Sequence, residues 1–98
     1  RWKISLPQHG KPVWTTNHSG GISDMDSGTG NELAVGVWKH VAMVHDGAKD
    51  IIYMNGAQVA EKIVVGTLNN TTKALGIGYN AVDGGNVLDG VLDGALRA

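Results

Sequence analysis

The 98-residue chain has no cysteine, which excludes a disulfide framework, a thiolate metal site and a cysteine nucleophile. It has no phenylalanine either, so its aromatic side chains are Trp2, Trp14, Trp38, Tyr53 and Tyr79. An excess of one charge is also missing: 8 Lys and Arg face 9 Asp and Glu, a net charge of −1. That balance leaves no electrostatic footprint for nucleic acid or an anionic membrane. Long hydrophobic runs are absent. The longest, residues 41–44 and 63–65, are far too short to span a bilayer, so no membrane insertion is expected. The chain opens Arg1-Trp2-Lys3-Ile4, without an initiator Met or a signal-peptide pattern, and is expected to be a mature product or a piece of something larger. Proline occurs only twice, and no apolar stripe of helical period runs through the chain.

Glycine is abundant instead, with 15 residues against about 7 at average usage. Set among Val, Ile and Thr, it points to tight turns between short strands. Residues 1–6 alternate, with Trp2, Ile4 and Leu6 on one face, and residues 12–16 read as the returning strand. Residues 17–32 are the most polar stretch and read as a loop or ragged edge. Residues 37–46 form the strongest strand, apolar on both faces, and are expected to lie centrally in a sheet with Trp38 in the core. Asp46-Gly47 and Asn55-Gly56 are turn signals, so residues 50–55 and 58–65 complete a three-stranded meander. Residues 74–79 alternate glycine with large apolar side chains, and residues 87–98 are a last extended stretch. About eight short strands in one unit spanning residues 1–98 predict an all-β sandwich or barrel.

Catalytic patterns are lacking. Glu32 and Glu61 are the two glutamates and lie far apart in sequence, whereas retaining glycosidases need carboxyls about 5 Å apart. Ser27, His45 and Asp46 have no nucleophile elbow to unite them. His40 and His45 are expected on opposite faces of one strand, which argues against a two-histidine metal site. Not an enzyme is therefore the expectation. Asp24, Asp26, Ser27, Asn31 and Glu32 offer hard oxygen ligands suited to Ca²⁺, although Thr29 and Val35 break the EF-hand template. For a ligand, Trp14 beside Asn17 and His18 is the leading exposed aromatic contact, with Tyr79 and Asn80 as a second candidate pair. Asn17, Asn69 and Asn70 each head an Asn-x-Ser/Thr acceptor pattern.

Residues 38–47, WKHVAMVHDG, followed by Ile52-Tyr53-Met54-Asn55-Gly56-Ala57-Gln58-Val59, resemble the laminin-G-like and concanavalin-A-like lectin-glucanase superfamily. Leu75-Gly76-Ile77-Gly78 resembles its next strand, and Gly90-Val91-Leu92-Asp93-Gly94 the start of its final one. The resemblance implies an antiparallel jelly-roll β-sandwich, here a minimal member that is incomplete without a partner or the rest of its chain. It implies a structural calcium near Asp93, as an alternative to the loop that carries Asp24 and Asp26. Residues 1–6 and 91–97 are expected to be unpaired edges, with Trp2, Ile4 and Leu6 short of a covering layer, which favours a homo-oligomer or a larger assembly. The function implied is a non-catalytic recognition module for a glycan or protein ligand, glycan-binding or adhesive, on an extracellular or particle surface. The alternatives are a structural subunit or fragment of a surface or viral particle, and an accessory domain of a glycoside hydrolase.

Overall fold

The computed structural model describes residues 1–7, 9–73, 75–77 and 87–88. Eight strands are present among them: β1 (Trp2–Ser5), β2 (Val13–His18), β3 (Gly21–Asp26), β4 (Val41–His45), β5 (Lys49–Met54), β6 (Ala57–Ile63), β7 (Gly76–Ile77) and β8 (Val87–Leu88). They form two sheets, in the orders β3-β2-β1-β8-β7 and β4-β5-β6. The first is antiparallel through β3, β2 and β1, while the short β8 runs parallel to both β1 and β7. The second is an antiparallel meander. No helix occurs among the described residues, and the architecture is that of a jelly-roll sandwich in part.

The turns follow from local chemistry. At the β5–β6 hairpin Asn55 and Gly56 both adopt positive φ, 51° and 82°, the pairing that a type I′ turn demands. Asp46 closes the β4–β5 turn by accepting the backbone N–H of Ala48 and of Lys49, each at 2.8 Å.

The sheets face each other through period-two positions. Ile4, Trp14 and Met25 are register partners across the first sheet, and Val41–Met54 and Met43–Ile52 across the second. These residues make the apolar half of the core, centred on Trp14, Ile52 and Met54, with Trp2 and Val59 packed against it. Burying three such side chains stabilises by about 1.5–3 kcal/mol each. The Trp14 indole N–H also crosses between sheets to the Val44 carbonyl at 3.2 Å.

Four expectations are corrected here. The polar stretch 17–32 contains β3, because Ile22 to Asp26 pair residue for residue with β2. The middle strand of the meander is β5, with β4 at the margin of the described sheet. Trp38 lies outside the core, 75% exposed, because β5 turns at Asn55 and leaves nothing for residues before His40 to pair with. Asn55 closes that end of the ladder, donating its N–H to the His40 carbonyl and accepting the His40 N–H on its side chain. Finally, β1 is flanked on both sides, by β2 and β8, and Trp2 and Ile4 are covered by the core, while Leu6 is exposed as expected and residues 91–97 lie outside the described residues.

Candidate functional site

The inner face of β2 carries Trp14, Thr16 and His18, all buried. Opposite it, the inner face of β4 and β5 carries His45 and Asp50, which are register partners. One half of the sandwich interior is therefore polar. Thr16 is 0% exposed and Asp50 1%. Burying a carboxylate costs several kcal/mol unless donors replace its water. Thr16 Oγ1 donates to Asp50 Oδ2 at 2.6 Å, and His45 Nδ1 meets Asp50 Oδ1 at 2.6 Å. His45 Nε2 lies 2.6 Å from the Gly66 carbonyl oxygen. The His18 ring stacks on that of His45, with centroids 6.4 Å apart at 18°. His18 Nδ1 accepts the Gly20 N–H at 3.1 Å, which leaves Nε2 to donate to Ser23 Oγ, also at 3.1 Å. Among the described residues no buried side-chain nitrogen or oxygen lacks a partner.

Burial pushes the His45 pKa down, but the hydrogen bonds to Asp50 and to the Gly66 carbonyl, with the charges of Asp50 and Asp46, outweigh it and raise the net value above 6.5. A raised histidine contributes stability that is fully present below its unfolded pKa of 6.5 and is lost as pH rises through the folded value. The N–H groups of Ala48 and Lys49 lower the Asp46 pKa below 3.8, so its contribution is present above 3.8 and is lost as pH falls through the folded value. Both contributions are complete together only between 3.8 and 6.5.

Both ring nitrogens of this His–Asp pair are engaged within the fold. The nitrogen of His45 that would deprotonate a nucleophile faces a carbonyl oxygen. Ser27, weighed with His45 and Asp46, donates instead to the Asn31 carbonyl at 2.7 Å. The aspartate that joins His45 is Asp50, one hairpin partner away.

Trp14 and His18, expected as exposed ligand contacts, are corrected to interior residues, at 5% and 7% exposure. The same alternation that aims Trp14 inward aims Thr16 and His18 inward too. Asn17 is on the opposite face, and its side-chain oxygen accepts from Asn69 Nδ2 at 2.7 Å. Tyr79, Asn80 and Asp93 lie outside the described residues. Asp24 and Asp26 share the outer face of β3, and each already has a protein partner. Asp24 accepts the Thr15 hydroxyl, and Asp26 accepts the Gly28 N–H and lies 3.8 Å from Lys11 Nζ. Ser27 and Asn31 bond to each other, and no group of three or more His, Asp or Glu that could hold a metal occurs among the described residues.

Among the described residues the exposed aromatic is Trp38 instead. It sits on the loop between β3 and β4, beside the exposed His40 and near the Asn55 turn to which His40 is bonded. Lys39 Nζ steadies the loop by donating to the Glu32 carbonyl at 3.1 Å. A family model of the laminin G type, described as the concanavalin A-like lectin/glucanases superfamily, matches residues 1–96. No curated protein and no solved structure matches the chain.

Proposed function

The chain belongs to the concanavalin A-like lectin/glucanases superfamily, and from that premise we propose that it is a non-catalytic recognition module, glycan-binding or adhesive, of an extracellular protein. The observation that carries this reading is the exposed Trp38. An indole left in water offers the flat apolar face on which a sugar ring packs, and His40, two residues on, is exposed as well. The carboxylates support a non-catalytic role. Asp50 is saturated by Thr16 and His45, and Glu61 is held by Lys49 Nζ at 3.2 Å and by Gln58 Nε2 at 3.0 Å.

Trp38→Ala is expected to weaken glycan binding by about tenfold or more, equivalent to about 1.4 kcal/mol. Its unfolding free energy should change by no more than about 0.5 kcal/mol, as for a surface site. A glycan-array screen followed by calorimetric titration of both proteins checks the first part, and thermal melts the second. A variant that keeps the parent's affinity for every array hit would end this reading.

A second reading, a structural subunit of a larger assembly, is favoured by Val35 and Val37, which are exposed on the same loop as Trp38. It expects the parent to self-associate at micromolar concentration in sedimentation velocity, and Trp38→Ala to run as a monomer.

A further inference from the structure

The carbonyl that His45 holds belongs to a strap, residues 64–69, which leaves β6 and runs across the end of the sandwich. Its first half fastens to the β4–β5 turn: Val64 N–H donates to the Ala48 carbonyl at 3.0 Å and Gly66 N–H to the Gly47 carbonyl at 3.1 Å. Its second half fastens to the first sheet. Ser19 N–H donates to the Thr67 carbonyl at 3.0 Å, Asn69 N–H to the Asn17 carbonyl at 2.9 Å, and Leu68 bridges to His18. The strap thus joins two hairpins that belong to different sheets. At its closest approach a side chain at Gly66 would run into Ser19, and Gly66 holds φ at 131°, a conformation open to glycine.

His45 reaches the strap from inside, with its side chain 6% exposed. Both of its ring nitrogens are 2.6 Å from oxygen atoms. The Gly66 carbonyl can only accept, so Nε2 must carry a proton. Between Nδ1 and Asp50 Oδ1 a second proton must lie, because two facing lone pairs at that distance repel. The His45–Asp50 unit is then neutral overall and fully bonded. Removing one proton leaves a buried net negative charge and an unprotonated nitrogen facing an oxygen. With the Nδ1–H kept on Asp50, that contact falls at Gly66.

We propose that His45 is a protonation latch on the strap: doubly protonated, it fastens residues 64–69 across the two hairpins, and on losing a proton as pH rises it releases them. The charged and titratable groups around it fit this role. Asp50 from β5 and Asp46 from the adjoining turn favour the protonated ring. His18 from β2 stacks on it and has both nitrogens engaged elsewhere. Lys62, the β6 register partner of Asp50, sends its ammonium group away to the Asp24 carbonyl at 3.2 Å, so it does not compete for the carboxylate. The latch is independent of the Trp38 surface, and it gives the fold a local response to pH that leaves the central strands in place.

Amide hydrogen exchange on the whole chain between pH 6 and pH 9, corrected for intrinsic rates, tests the latch. Protection at Ser19, Gly66 and Asn69 is expected to fall about tenfold or more as pH rises, while β5 amides hold theirs. His45→Gln, whose amide can donate without titrating, is expected to flatten the profile at those three positions. Ring nitrogen shifts should show His45 protonated at both nitrogens at pH 6. A flat strap profile in the parent protein, a parallel loss at β5, or a single protonated nitrogen at pH 6 would each overturn the proposal, whether or not the variant folds.

Discussion

Trp14→Ala is expected to lower stability by about 3–5 kcal/mol, the range for truncating a buried aromatic. Trp14 is 5% exposed and stands where the apolar rows of both sheets meet. Its ring lies 6.0 Å from that of Trp2, and its N–H is the bond from β2 to the Val44 carbonyl. The substitution opens a cavity beneath Ile52 and Met54 and leaves that carbonyl without its donor. Domains of this size hold about 5–15 kcal/mol in all, so the variant should be partly unfolded at physiological temperature. Urea titration followed by circular dichroism reads the effect as a midpoint lowered by about 1–3 M. Trp14→Phe separates the two causes: it keeps most of the apolar contact, loses the donor, and should cost about 1 kcal/mol from the hydrogen bond. Coincident midpoints for Trp14→Ala and its parent would show that the core is centred elsewhere.

Trp14 and Trp38 exchanged the roles that the sequence suggested, and the reason is physical. Trp14 is followed by Thr, Thr, Asn and His, which looks like a surface; yet period two carries Trp14, Thr16 and His18 to one face, and that face is inside. Polar neighbours do not mark a surface when the opposite sheet brings Asp50 and His45 to meet them. Trp38 precedes the apolar run 41–44 and looks continuous with it. What ends the strand is its partner: Asn55-Gly56 turns β5 back, so β4 starts at Val41. The meander and both of its turns were legible because Asp-Gly and Asn-Gly encode their geometry locally. β3 was not, since Ile22 and Met25 are its apolar residues and its pairing depends on β2 lying alongside. The His45–Asp50 contact was within reach. Placing the turn between residues 46 and 50 makes the two residues opposite members of a hairpin. The strap was not, because its bonds span both sheets and no local pattern announces them.

Asp50→Ala is expected to cost about 3–5 kcal/mol, the loss seen when one partner of a buried ion pair is removed. The carboxylate is 1% exposed and accepts from Thr16 and His45 at 2.6 Å each. Without it the Thr16 hydroxyl and His45 Nδ1 are buried donors that have lost their acceptor. The loss should depend on pH in a direction that a simple packing defect would not produce. Asp50 helps hold the His45 pKa up, so the parent's extra stability is complete below 6.5 and fades as pH rises through the folded value. The gap between parent and variant should therefore be widest at pH 5–6 and narrow towards pH 9. Replacing both members with apolar residues, His45→Met with Asp50→Leu, should be less damaging than Asp50→Ala, because no buried polar group is then left without a partner. Urea titrations of the parent and both variants at pH 5.5 and pH 9 measure all of this. A gap that is the same at both values would mean that Asp50 acts by filling space, and that the pair carries no proton-linked stability.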